Sequence, residues 1–233
     1  METPDGNIPR KPFLGLLKRR QCIVPTWRGW LLLLLVLGAA GAFVVRGLYG
    51  FLAVHDPLPG GILVIEGWSS DYVLTAAVDE FKKSRYERIC LTGGPIEFGN
   101  AMREHRTYAE YAQAMCLKLG VPAEALHAIP APPADRDRSY ASALALRQWI
   151  RQQGLTDVKI NIAGNSAHSR RTRLVYEKAL GPGIRVGISN VEEMNFDPHR
   201  WWASSSGFRN VVDELIAYAY VRLFFSPAPA PQP

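Results

Sequence analysis

The segment GGILVIEGW, residues 60–68, decides the fold. Four consecutive aliphatic residues, Ile62 to Ile65, follow two glycines and stop at Glu66–Gly67. A strand with one wet face alternates apolar and polar positions. An unbroken aliphatic run between turn residues is instead buried on both faces, as in a parallel sheet covered by helices. Downstream the same grammar repeats. Residues 72–84 carry Val73, Ala76, Ala77 and Phe81 at helical spacing, 88–92 read as a second strand, and Gly93–Gly94–Pro95 stops it. A helix over 103–119 ends at Gly120 and Pro122, and a short strand covers 125–129. The Pro-rich, charged residues 130–137 form a loop before a helix over 140–153, capped by Ser139 or a neighbour and stopped by Gly154. A strand over 158–163, a helix over 167–180, a strand over 184–188 and a helix over 211–225 complete the series. Strands alternating with helices predict an α/β fold, a Rossmann-like three-layer sandwich on a mostly parallel sheet.

Upstream, residues 30–45 (WLLLLLVLGAAGAFVV) contain no charge. A membrane span needs about 20 apolar residues. Extending the run from Trp27 to about Gly47 supplies them, with Trp27 and Trp30 at one interface and Arg46 snorkelling to the other. A transmembrane helix is therefore expected over 30–50. The net charge of +6 is concentrated ahead of it: Arg10, Lys11, Lys18, Arg19, Arg20 and Arg28 face only Glu2 and Asp5. The positive-inside rule then makes residues 1–29 a cytoplasmic tail and the domain over 58–225 extracytoplasmic, in the inner membrane with a single pass. A cleavable signal peptide ending near Ala39–Ala42 is the competing reading, and the long basic leader argues against it. Residues 226–233 read as a disordered Pro-rich tail.

From His55 onward basic and acidic residues nearly balance. No basic face is left for nucleic acid. Cys22 falls in the leader, while Cys90 on a strand and Cys116 on a helix read as two buried free thiols rather than a disulfide. No metal-ligand spacing links the cysteines to the histidines.

In a parallel sheet, ligands bind in loops beyond the carboxyl ends of the strands. Three such loops carry chemistry here: Glu66–Gly67–Trp68, Thr92–Gly93–Gly94, and Gly164–Asn165 running to His168. Gly93 and Gly94 can let backbone N–H groups approach an anion, or can simply make a tight turn. In GNSAHSRR, residues 164–171, Asn165, His168 and Arg171 meet at a helix opening. They suit an anionic group with a titratable imidazole beside it, although caps and a solvated face would use the same residue types. A carboxylate at the end of a buried strand is costly unless paired, so Glu66 either meets an arginine or acts in catalysis. Asp137, Arg138 and Ser139, just before a helix on the same edge, can reach that site. No Gly-x-Ser-x-Gly elbow is present.

The order of an N-terminal anchor, ILVIEGW, ICLTGGP, LGVP, DRSYASA and AHSRRTR resembles the SanA/ElyC/YdcF-like family over residues 61–225. The family's doubled glycine matches Gly93 and Gly94, and its His-x-x-Arg matches His168 and Arg171. Glu66–Gly67–Trp68 replaces a glycine-rich strand end, Thr107–Tyr108–Ala109 a Ser-Glu-Ala segment, and residues 138–142 an Asn-Thr-x-x-Asn segment. These departures suggest a subgroup with its own substrate. The resemblance implies a Rossmann-like fold and a role in cell-envelope biogenesis or barrier integrity.

The expected function is a membrane-tethered envelope protein that binds and processes a phosphate-bearing or lipid-linked intermediate, with Glu66 and His168 as the catalytic pair. Gly67, Gly93, Gly94, Asp137, Arg138, Ser139, Asn165 and Arg171 would hold the ligand. Its expected partners are the cytoplasmic membrane and that small molecule, without nucleic acid. The sequence names no cofactor. A non-catalytic ligand sensor or envelope scaffold would use the same pocket. A nucleotide- or S-adenosylmethionine-binding enzyme would follow from the fold alone.

Overall fold

The computed structural model describes residues 24–96 and 104–226. Most of the leader with Cys22, the start of the helix expected from residue 103 and the last seven residues lie outside the described residues. The chain divides into two units, one ending at Phe43 and one beginning at Val44.

The element order is α1 (Trp27–Leu52), β1 (Gly61–Glu66), α2 (Asp71–Lys83), β2 (Tyr86–Gly93), α3 (Tyr108–Lys118), β3 (Leu126–Pro130), α4 (Arg138–Gln152), β4 (Val158–Asn165), α5 (Ser169–Leu180), β5 (Ile184–Val191) and α6 (Ser205–Leu223). The first helix, 26 residues with a mean hydropathy of 2.3 in its most apolar window, is long and apolar enough to cross a membrane. At 1.5 Å per residue it spans about 39 Å, against about 30 Å of hydrocarbon.

The five strands form one sheet in the order β3-β2-β1-β4-β5, every pairing parallel. The buried run that decided the reading is thus the central strand. Its side chains alternate between the two faces. Ile62 and Val64 pack with Leu146 and Ile150 of α4 and Tyr176 of α5, while Leu63 and Ile65 pack with Leu74 and Val78 of α2 and Ala112 of α3. All four are at most 3 % exposed. At about 1.5–3 kcal/mol per fully buried aliphatic side chain, this strand is a main source of the stability. Cys90 belongs to the first cluster and Cys116 to the second, so the sheet separates the two thiols, which are free.

A third cluster joins Leu52 of α1 to Ala167, Trp201 and Val211, with Leu48, Tyr49, Leu215 and Tyr218 around it. The last turns of α1, beyond Val44, are therefore part of the folded domain.

Several boundaries differ from the sequence reading, each for a physical reason. Helix α3 starts at Tyr108 because Thr107 caps it. The Thr107 hydroxyl accepts from Glu110 N–H while the Glu110 carboxylate accepts from Thr107 N–H. The N-cap of α4 is Asp137 rather than Ser139, in a left-handed conformation (φ 57°) and without a side-chain cap bond. Strand β4 runs on to Asn165 because Gly164 and Asn165 pair with Asn190 and Val191. The chain then turns through Ser166 (φ 54°) into a 3-10 turn, Ser166–His168, before α5 begins.

Candidate active site

The strand order changes direction between β1 and β4, and the crevice at such a switch point is where a doubly wound sheet takes its ligand. Glu66 ends β1 and His168 follows β4, so these two residues face one another across that crevice. The left-handed turn at Ser166, whose hydroxyl meets the Tyr49 hydroxyl at 3.1 Å, brings the imidazole over the end of the central strand. The Trp68 ring packs edge-on against it, centroid to centroid 5.0 Å.

On its Nδ1 side His168 meets Glu214 of α6, with Nδ1 2.8 Å from Oε1. Arg171, one turn along α5, clasps the same carboxylate with Nε–H to Oε2 at 2.8 Å and Nη2–H to Oε1 at 3.1 Å. The Arg171 Nη2 and His168 Nδ1 lie 2.7 Å apart as both converge on that oxygen. Burial pushes the Glu214 carboxyl up, but the hydrogen bonds from His168 and Arg171, with their charge, outweigh it and hold the group at about 2. Glu214 is therefore ionised at neutral pH and anchors the imidazole through Nδ1. Nε2 is the ring nitrogen left outside this cluster.

That nitrogen faces Glu66. His168 Nε2 lies 3.8 Å from Glu66 Oε2, beyond hydrogen-bond reach. Both Nε2 and Glu66 Oε1 are buried with no hydrogen-bond partner. Buried polar atoms are almost always paired, and two unpaired atoms on neighbouring side chains mark a place for a polar atom. Beneath them the fully buried Tyr176 phenol meets Thr92 Oγ1 at 3.0 Å. Burial first, and then the Glu66 carboxylate, push that phenol well above its usual range, so it stays neutral.

A pocket of about 580 Å³ opens beside His168, and Glu66 is not among the residues that line it. His168, Arg171 and Glu214 form part of its wall, and Trp68, Tyr140, Val175, Val221 and Phe225 make much of the rest apolar. Gly94, Asp137, Arg138 and Ser139 also line it. Arg138 is exposed and makes no ion pair among the described residues.

The remaining residues singled out in the sequence are placed differently. A Cβ at Gly67 would stand 2.1 Å from the Tyr108 carbonyl oxygen, and one at Gly93 would stand 2.7 Å from Tyr108 Cβ. These glycines admit the start of α3 rather than lining the pocket. Asn165 accepts from the Tyr72 hydroxyl at 3.3 Å and does not line the pocket. Arg171 lines it, but its fork is committed to Glu214. Glu214 itself was not singled out in the sequence reading. The available signal was periodicity: it sits three residues after Val211 and seven before Val221, on the buried stripe of α6.

The described residues contain no group of three or more His, Cys, Asp or Glu that could hold a metal. No protein-family model matches the chain, and no curated protein is similar to it.

Proposed function

We propose that this protein is a membrane-anchored enzyme of the cell envelope. Its α/β domain, outside the cytoplasm, carries out proton-transfer chemistry on a phosphate-bearing or lipid-linked intermediate. The observation that carries this reading is the line Glu214–His168–Glu66. A carboxylate orients the imidazole, which lines the pocket, and the other ring nitrogen faces a second, buried carboxylate just outside the pocket lining. In such a line His168 Nε2 takes a proton from a bound water or hydroxyl and Glu66 shares or relays it. Nothing in that step requires a cofactor.

The pocket walls bear on the substrate. An apolar wall of Tyr140, Val175, Val221 and Phe225 beside an acid–base pair suits a molecule with a reactive polar group on an apolar body. With Arg171 held by Glu214, any phosphate falls to Arg138 at the rim. The resemblance to the SanA/ElyC/YdcF-like family supports an envelope role, and the apolar α1 supports the tether. A tether keeps the domain within reach of substrates that cannot leave the bilayer.

One observation favours a second reading, ligand sensing without turnover: among the described residues no side-chain hydroxyl or thiol lies within hydrogen-bond reach of His168 Nε2 to serve as a nucleophile. Detergent-purified full-length protein incubated with an envelope lipid extract separates the two, with mass spectrometry of the products. Turnover by wild type that is lost in His168→Ala, while the same lipid still co-purifies with the variant, establishes the enzyme. Retained lipid with no change in either protein establishes the sensor.

A further inference from the structure

Two tryptophans outside the pocket meet the end of α1. They lie in a 3-10 turn, Pro198–Ala203, just before α6. Trp201 is buried, and its Nε1–H donates to the Val45 carbonyl at 3.1 Å. Trp202 is 37 % exposed, with the Arg46 guanidinium 6.0 Å from its ring centroid. Phe208, in the first turns of α6, is 51 % exposed and has its ring 6.0 Å from that of Trp201. Scattered exposed apolar residues are ordinary on a soluble surface. These are not scattered: they gather around Val45 and Arg46, where the charge-free run of α1 ends.

A span usually has interfacial aromatic residues at both ends. Here the near end has Trp27 and Trp30, but no tryptophan occurs between Trp30 and Trp68. The far end has Arg46, and the fold brings Trp202 to it. Trp202 puts an amphipathic ring beside a snorkelling guanidinium, the pairing found at the level of lipid headgroups. Arg200 and Arg209 are exposed on the same short stretch of chain and add positive charge of the sign that anionic headgroups attract.

We infer that residues 198–208 form an interfacial collar: Trp202 and Phe208 rest in the headgroup layer of the phospholipid bilayer around Arg46, and supply the interfacial tryptophan missing from the outer end of α1, where Tyr49 is packed into the domain. This rests on the membrane-anchored reading above. The collar holds this face of the domain on the membrane surface.

The test uses full-length protein in which Trp27→Phe and Trp30→Phe remove the near-end tryptophans. It is reconstituted into phosphatidylcholine–phosphatidylglycerol vesicles and compared with the same protein carrying Trp202→Phe as well. Lipids brominated near the headgroup end of the acyl chain should quench the first protein's fluorescence more than the second's, and lipids brominated at the chain terminus should not distinguish them. Protein that floats with the vesicles but is quenched equally with and without Trp202 overturns the collar and leaves the anchor standing. Protein that fails to float overturns both.

Discussion

Glu214 reaches His168 from a helix 46 residues further along the chain and grips its Nδ1 side at 2.8 Å, while Arg171 holds the same carboxylate by two nitrogens. The three residues form one hydrogen-bonded unit, with Nε2 turned toward Glu66.

The unit has a pH signature. The folded Glu214 carboxyl sits at about 2, below its ordinary 4.5. A lowered folded pKa adds stability that is complete above about 4.5 and is lost as the pH falls from there to about 2. The difference corresponds to about 3 kcal/mol. Denaturant unfolding of wild type and Glu214→Gln should therefore differ by roughly that amount at pH 6 and converge toward pH 2. A difference independent of pH would mean that the carboxylate charge is not what stabilises the unit.

Two glycines of the same sheet edge should respond oppositely to a methyl group. Gly67→Ala places Cβ against the Tyr108 carbonyl and should cost about 1–3 kcal/mol by overpacking. At Gly94 the nearest atom to a Cβ is the Pro132 carbonyl oxygen at 3.7 Å, ordinary contact, so Gly94→Ala should leave the melting temperature close to wild type while it intrudes on the pocket. Thermal unfolding of the two variants side by side checks the contrast.

Burial pushes the Cys90 thiol up to about 12, despite the opposing charge of Arg88, and the Cys116 thiol to about 11. Neither should react with a thiol-specific reagent at pH 8 until the protein unfolds. Peptide mapping after labelling would show this directly, and label on either residue in the native protein would contradict the burial.

For the anchor, the basic leader ahead of α1 predicts that a reporter fused after Pro233 works only in a form active outside the cytoplasm. The full-length chain should also remain with membranes through carbonate washing. A fusion active only in the cytoplasm would reverse the orientation, and a mature N-terminus near Gly41 would replace the anchor with a cleaved signal.

What the sequence made legible is what local chemistry determines. The aliphatic run at 62–65, the glycine and proline stops and the helical spacings were enough for the alternating α/β order. They also placed Glu66 and His168 at the same edge of a parallel sheet. Thr107-Tyr-Ala-Glu110 is a capping box readable from its spacing, and it marks the start of α3 five residues beyond the start read from periodicity. Pairing across the sheet was not legible: Gly164 and Asn165 become strand only because β5 lies beside them. Nor was the partner of Arg171. A guanidinium at a helix opening looks the same in a sequence whether it awaits an anion or already holds one, and the carboxylate that occupies it comes from an element that carries no motif.

The sheet order decides which parts of the site can change independently. Glu66 stands on the central strand, locked between two neighbours and covered on both faces, so substitutions around it disturb the whole core. Much of the pocket wall comes instead from the start of α4 and from the end of α6 and the residues just beyond it, where Arg138 is exposed and Val221 and Phe225 line the cavity. The buried carboxylate and the outer wall of the pocket are thus built from separable parts of the chain. Exchanging a few residues at the start of α4 and the end of α6 would reshape the pocket while Glu66 and His168 remain as they are.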